Sequence, residues 1–325
     1  MLSESNIIKT LHAHFPEQIG DDAASMPINP TESYLITKDL LIEETHFRLR
    51  YQDIESLAHK ALHVNLSDLA AMGATPQFVL LGLSIPPHFQ AQTEAFLEAF
   101  AKACKAESVM LIGGDTTRSS QQLMLSITAI GTALNTHIKY RTHTQPGDLL
   151  CIAGQIGHAH LGLTALEKNS PNLFNYKKAF LSPTARIKEG IWLGKQESVT
   201  SMMDTSDGLL LDLMRLCEAS DLACAVNLDA LKPSAAFQSA CETLALDAIT
   251  TQLSGGEDYG LMISVSPEAY LTLAQQFTRH FQYDLKCIGA FKPSQNKHNP
   301  NITWLQNNQP IDLKDLKIKP FLHFE

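Results

Sequence analysis

The apolar positions between 53 and 72 fall at helical spacing, and Gly73 with Pro76 beyond closes the run. This stretch therefore predicts a long helix with much of its surface buried. Residues 4–14 predict a shorter amphipathic helix, with Ile7, Ile8 and Leu11 on one side, Ser3 as its cap, and Pro16 and Gly20 breaking the chain after it. Further helices are expected over 90–106, 158–167 and 209–219. Strand-like runs occupy 34–36 and 40–42, interrupted by Thr37-Lys38-Asp39, and then 78–85, 109–112, 123–132, 149–153 and 259–265. The polar stretches 168–178 and 292–301 predict surface connections. Strands and helices interleave throughout, which predicts an α/β (α+β) fold. A polar passage through Pro146-Gly147-Asp148 divides it into residues 1–145 and 146–325.

A length of 325 residues exceeds one ordinary core and suits two domains of roughly 150 residues each. The composition, 44% hydrophobic and 18% charged, is that of a globular protein. No run approaches the roughly 20 apolar residues that span a bilayer, so no membrane association is expected. The start, Met1-Leu2-Ser3-Glu4-Ser5, lacks the basic and apolar regions of a signal peptide, which predicts a cytoplasmic setting. The six cysteines form no C-x-x-C pair and read as buried free thiols. A net charge of −9 without a basic stripe argues against a nucleic-acid partner.

The acidic excess matters for where it lies, beside glycines and small residues more than on charged helix faces. Gly113-Gly114-Asp115 follows the apolar run 109–112, read as a buried strand. Paired glycines let backbone N–H groups approach a phosphate, and an Asp can hold a divalent cation bridging it. A tight turn whose Asp bonds its own backbone is the plainer alternative. Asn65 and Asp68 stand three residues apart on the predicted helix and share a face. Among Leu62, Val64, Leu66 and Leu69, an ionised Asp68 needs a metal, a cation or several hydrogen bonds.

Asp204-Thr205-Ser206-Asp207-Gly208 precedes the helix expected at 209. Ser206 or Asp207 would serve as an N-cap. One cap does not account for two acids and two hydroxyls, which suit a phosphate and metal site at a helix N-terminus. Gly20-Asp21-Asp22, Asp39 and Gly255-Gly256-Glu257-Asp258 add further acids, and adjacent carboxylates repel unless a cation intervenes. Magnesium binds carboxylate oxygen and leans on substrate phosphates, so scattered single acids suit it. The chain has no Walker loop, protein-kinase catalytic loop, G-x-G-x-x-G fingerprint, H-E-x-x-H motif or G-x-S-x-G elbow.

Taken in order, Gly20-Asp21-Asp22-Ala23, the segment from Asp39 to His46-Phe47, Asn65-Leu66-Ser67-Asp68-Leu69-Ala70-Ala71-Met72-Gly73-Ala74, Gly113-Gly114-Asp115-Thr116-Thr117, Asp204-Thr205-Ser206-Asp207-Gly208 and Ser254-Gly255-Gly256-Glu257-Asp258-Tyr259 resemble the thiamine-monophosphate kinase family. The resemblance implies a fold shared with aminoimidazole ribonucleotide synthetase and selenophosphate synthetase. That fold has a mixed-sheet N-terminal domain that dimerises and an α/β C-terminal domain. It implies transfer of the γ-phosphoryl group of ATP to thiamine monophosphate. Several magnesium ions are implied among Asp22, Asp39, Asp68, Asp115, Asp204 and Asp207, with Thr37 as a further ligand. Gly114, Asp115, Arg141 and Ser206 would contact the nucleotide, and His46 and Glu257 would line the acceptor pocket. Turnover is expected to depend on Asp207 and Asp115.

Two positions depart from the family pattern. Lys38 stands where a small hydroxyl residue is usual, and could replace one metal ion in part or contact a phosphate. Ile318 stands where an aromatic such as Trp is frequent, with Phe321 nearby and Trp304 too far upstream. A phosphate-monoester acceptor is largely ionised near neutral pH and needs no strong base, so direct in-line transfer without a phosphoenzyme is expected. One alternative is another synthetase of the same fold, against which stand the late first cysteine, Cys104, and the full Asn65 to Gly73 string. Another is a nucleotide-binding scaffold that releases no ADP.

Overall fold

In the computed structural model the described residues are 4–15, 19–294 and 302–313. Ser3, Pro16, residues 295–301, Ile318 and Phe321 lie outside them.

Helix α1 (Glu4–His14) precedes β1 (Ala24–Asn29) and β2 (Glu32–Ile42). Then come α2 (Ile54–Ala71), β3 (Thr75–Ile85), α3 (Thr93–Ala106), β4 (Met110–Arg118) and β5 (Met124–Leu134). The strands form one sheet in the order β1-β2-β5-β3-β4, with β3 and β4 parallel and the other neighbours antiparallel. Leu35, Leu41, Leu81, Leu125 and Ile127 of this sheet pack against Leu62, Leu66 and Leu69 of α2 and Phe96 and Phe100 of α3.

Strand β2 runs unbroken through Thr37-Lys38-Asp39, where the sequence pattern suggests an interruption. Side chains alternate across a sheet, so Thr37 is buried while Lys38 stands exposed on the other face. Strand β4 differs more. It is an edge strand, exposed along its whole length, and it continues through Gly113-Gly114-Asp115-Thr116-Thr117 without turning. A short apolar run does not reveal whether it lies at the centre or the edge of a sheet. Gly114 is required by the pairing itself, since a Cβ there would lie 1.8 Å from the Leu81 carbonyl oxygen.

The remaining elements are β6 (Leu149–Ala153), α4 (His158–Glu167), α5 (Phe174–Leu181), α6 (Ile187–Gly194), β7 (Val199–Asp204), α7 (Leu209–Ser220) and β8 (Leu222–Asn227). They continue with α8 (Ala235–Thr243), α9 (Ala248–Ser254), β9 (Leu261–Val265), α10 (Pro267–Phe281), β10 (Lys286–Pro293), β11 (Ile302–Gln306) and β12 (Gln309–Ile311). Their strands form a seven-stranded mixed sheet, β12-β11-β8-β10-β6-β9-β7. Helix α5 begins inside the stretch 168–178 expected to be irregular, and a 3-10 turn, Pro87–Gln92, occupies the start of the helix expected from residue 90. Trp304 is buried in the core of this second sheet.

Helix α2 joins the two sheets. The Asp53 carboxylate caps it by accepting the Ser56 N–H at 2.7 Å, and Gly73 ends it with φ of 72°. One side rests on β2, β3 and β5, and the other meets α6 and β7. The α6 contact is backbone to backbone: a Cβ on Gly190 would lie 2.1 Å from the Ala70 carbonyl oxygen. That double burial explains why Lys60, His63, Asn65 and Ser67 are all buried on one helix. No helix among the described residues is long and apolar enough to cross a membrane.

Candidate active site

Helix α2 presents polar side chains to both sheets at once. Towards the first, Asp68 accepts the Thr37 hydroxyl at 2.5 Å, and the Asn65 side-chain oxygen accepts the Asp39 N–H at 3.0 Å. Towards the second, Ser67 donates to Asp204, the last residue of β7, at 2.6 Å. Asp22, on the loop before β1, completes the group. One carboxylate oxygen from each of Asp22, Asp68 and Asp204 lies within 4.8 Å of the other two.

These acids strain against their surroundings. Burial pushes Asp204 up to about 8, with the Asp22 charge adding to it and the Ser67 hydroxyl opposing it. Burial, then Asp39 and Asp204, hold Asp68 well above the carboxylate range. Asp39 is pushed up to about 6 by burial, Asp207 and Asp22. Carboxylates buried together favour their neutral forms unless a cation joins them. The donor set is all oxygen, carboxylates with an adjacent hydroxyl, which is the coordination magnesium takes.

Two arginines hold Asp22 and Asp207. Arg141 donates from Nη2 to Asp22 Oδ1 at 2.6 Å, from Nη1 to the Gly20 carbonyl at 3.3 Å, and from its backbone N–H to Asp21 at 2.7 Å. Arg215 lies 2.5 Å from Asp207 and 3.4 Å from Asp212. The expected cap of α7 is different from the observed one. Gly208 occupies the cap position, and the buried Asp212 reaches back to accept the N–H groups of Asp207 and Gly208 at 3.2 and 3.0 Å.

A cavity of about 560 Å³ opens beside the cluster, within the size range of small-molecule sites. Asp39, Asp68 and Asp207 line it together with His46, Phe180 and Glu257. A shallower groove of about 870 Å³ along α10 has no grouping of acids on its walls. The 254–260 loop seals the cavity against the second sheet. Glu257 N–H donates to the Ser206 carbonyl at 2.7 Å and Tyr259 N–H to that of Thr205 at 2.9 Å. A Cβ on Gly256 would lie 2.7 Å from the Ser206 carbonyl oxygen, so this glycine serves loop packing.

Asp22, Thr37, Asp39, Asp68, Asp204, Asp207, Arg141, Ser206, His46 and Glu257 thus gather around one cavity and the acids beneath it. Gly114 and Asp115 do not. Asp39 pairs with Ile127, Ile127 with Leu81 and Leu81 with Gly114, a separation of three strand spacings, roughly 14 Å. Asp115 follows Gly114 and so points to the opposite face from Asp39. Lys38 also lies on that outer face, away from Asp39, Asp68 and Asp204. Asp258 caps α4, accepting the Ala159 N–H at 2.9 Å and the Gly157 N–H.

The sequence reading omits Lys60, Phe180, Asp212 and Arg215. Lys60 had a signal: it lies three residues after Leu57 and four before Val64, on the buried stripe of α2. Arg215 had another, three residues after Asp212 on α7. Phe180 had none, because nothing local ties it to a site in another part of the chain.

Residues 20–133 match the family described as AIR synthase related protein, N-terminal domain. The thiamine-monophosphate kinase of Buchnera aphidicola subsp. Acyrthosiphon pisum is 33% identical over 316 residues, covering 94% of this chain and 92% of its own. That of Escherichia coli K12 is 35% identical over 304 residues, covering 91% and 89%. A solved structure described as AaThiL complexed with AMPPCP and TMP aligns with a TM-score of 0.84 at 25% identity, covering 99% of this chain and 97% of that one.

Proposed function

The chain belongs to the thiamine-monophosphate kinase family, and from that premise we propose that it transfers the γ-phosphoryl group of ATP to thiamine monophosphate, giving ADP and thiamine diphosphate. The observation that carries this reading is the meeting of Asp22, Asp68 and Asp204, brought from three distant segments, beside a cavity that suits small ligands. The complex of a relative with AMPPCP and TMP supports a site for two phosphate-bearing molecules.

Asp22, Asp39, Asp68, Asp204 and Asp207, with Thr37, are the residues that would hold magnesium. When bound, magnesium supplies neutralisation of phosphate charge. The acceptor phosphate is already nucleophilic near neutral pH, so the protein's task is alignment of two anions, with no proton to abstract. Ser206 and Asp207 approach the nucleotide from the turn before α7, and Arg141 from beside Asp22. His46 and Glu257 line the acceptor side. His46 Nδ1 accepts the Ile42 N–H at 3.0 Å, which anchors the ring as a wall of the cavity.

The reading includes a homodimer built on β4, with residues 1–145 as the dimerising, nucleotide-binding domain and 146–325 as the domain that completes the site. Support comes from the exposed apolar edge, where Met110 is 61%, Leu111 42% and Ile112 50% exposed. In such a dimer Gly114 and Asp115 would serve the partner's acids. A cytoplasmic setting fits six cysteines that form no disulfide.

A coupled assay of ADP release over a panel of phosphate acceptors, with and without magnesium, tests the proposal. Thiamine monophosphate should be preferred, thiamine diphosphate should appear one for one with ADP, and chelation should abolish both. Preference for another acceptor, or ATP binding without ADP release, would overturn it.

A further inference from the structure

Lys60 has no exposed surface at all. Its ammonium group donates to the His46 carbonyl and to Glu257 Oε2, each at 3.1 Å, and lies 3.8 Å from the centre of the Phe180 ring. An ammonium ion has three N–H bonds, so these contacts occupy its whole capacity. All three partners line the cavity, and they come from the turn after β2, from α5 and from the loop before β9. Lys60 itself stands behind that wall, on α2.

Stability does not account for this arrangement. Moving an ammonium and a carboxylate out of water costs about as much as their attraction returns, and apolar side chains of similar volume commonly do as well or better. What the ion pair does provide is orientation. Glu257 sits at a left-handed backbone angle, φ of 64°, where a non-glycine residue persists only if its surroundings hold it. The Lys60 contact fixes one carboxylate oxygen, and among the described residues no protein group donates to the other, Oε1.

We propose that Lys60 is a positioning residue of the acceptor pocket, drawing His46, Phe180 and Glu257 into one wall and turning Glu257 Oε1 towards a hydrogen-bond donor on the acceptor's organic part. This rests on the acceptor reading above and deepens it. Of the nucleotide side, Ser206 meets this wall through the Glu257 backbone N–H, which Lys60 does not engage, so the effect of Lys60 falls on one substrate.

The test compares wild type with K60M, K60R and K60M/E257Q, measuring kcat, the KM for each substrate and thermal melting. K60M should raise the KM for thiamine monophosphate roughly ten- to a hundredfold, the loss of a hydrogen bond to a charged group, and leave the KM for ATP within about twofold. K60R, which keeps the charge, should recover part of that loss. K60M/E257Q removes the uncompensated carboxylate, so it should melt near wild type while keeping the raised KM. A merely structural lysine would lower kcat or the active fraction with both KM values unchanged, and that result would overturn the proposal. A double variant with wild-type KM would do the same. Wild type that releases no ADP with thiamine monophosphate would reject the acceptor reading itself, and the Lys60 role with it.

Discussion

Replacing Asp68 with Asn should make the magnesium-free protein more stable and the enzyme nearly inactive. Asp68, Asp22 and Asp204 present carboxylate oxygens within 4.8 Å of one another. Two unit charges at that distance repel by about 3 kcal/mol at an effective dielectric of about 20. Burial relieves part of this by favouring the neutral forms of Asp68 and Asp204, so the gain from D68N is about 1–3 kcal/mol where they are otherwise forced to ionise. That corresponds to a rise in Tm of roughly 2–6 °C. Asn keeps the shape, and its side-chain oxygen still accepts the Thr37 hydroxyl, so packing is undisturbed. The measurement is thermal melting in excess chelator. The gain should be present at pH 8.5, above the value near 8 to which burial pushes Asp204, and smaller at pH 5.5, where Asp204 keeps its proton. Turnover with magnesium should fall by about a hundredfold or more, the usual consequence of losing one electrostatic group at a reacting centre. A variant that melts lower than wild type at both pH values, or that turns over normally, would refute the reasoning.

Three further outcomes are expected. Asp39 and Asp204 are raised to about 6 and about 8, so the folded state holds protons that the unfolded chain releases near pH 4. Stability without metal should therefore fall as pH rises from about 4 to about 8, and the Tm gain on adding magnesium should grow across the same window. Calorimetry should detect proton release on magnesium binding at pH 7 and less at pH 9; equal Tm gains at pH 5.5 and 8.5 would exclude this linkage. G190A places a Cβ 2.1 Å from the Ala70 carbonyl oxygen and should cost about 3 kcal/mol, with activity falling because α2 carries Asp68. Unchanged melting would show that the α2–α6 contact yields easily. Mixing D115N and D204N subunits after separate inactivation should restore about a quarter of wild-type activity, because half the dimers are mixed and each has one intact site. No restoration would remove Asp115 from the partner's site.

Much of the fold was legible where a residue type and its spacing agree. Helix α2 shows both its start and its stop in the sequence, with Asp53 before it and Gly73 after it. Asn65 and Asp68 share a face in the structure for the reason their spacing implies. The acids, too, are visible in order along the chain, and five of them meet. What local pattern could not show was sidedness. The apolar run in β4 looks like any buried strand, yet it lies at a sheet edge and directs Asp115 outwards. Lys38 makes β2 look broken, although a strand with one solvated face accepts lysine there. Asp258 reads as one more metal acid and is instead tied to backbone N–H groups about a hundred residues earlier. Lys60 was hidden by its charge, since lysine on a helix is nearly always a surface residue.

The glycine-mediated seam between α2 and α6 has a bearing on how such a catalyst can work. With the Ala70 carbonyl set directly against Gly190, no side chain separates α2 from α6 at that point. A contact this close resists sliding of α6 over α2, which disfavours opening of the site by that route. Reactants would then enter past the cavity rim, where the turn bearing His46 and the ribbon around Glu257 line the opening. The pace of release would then be set by a few short segments, while the acids stay as fixed as a bearing in its housing.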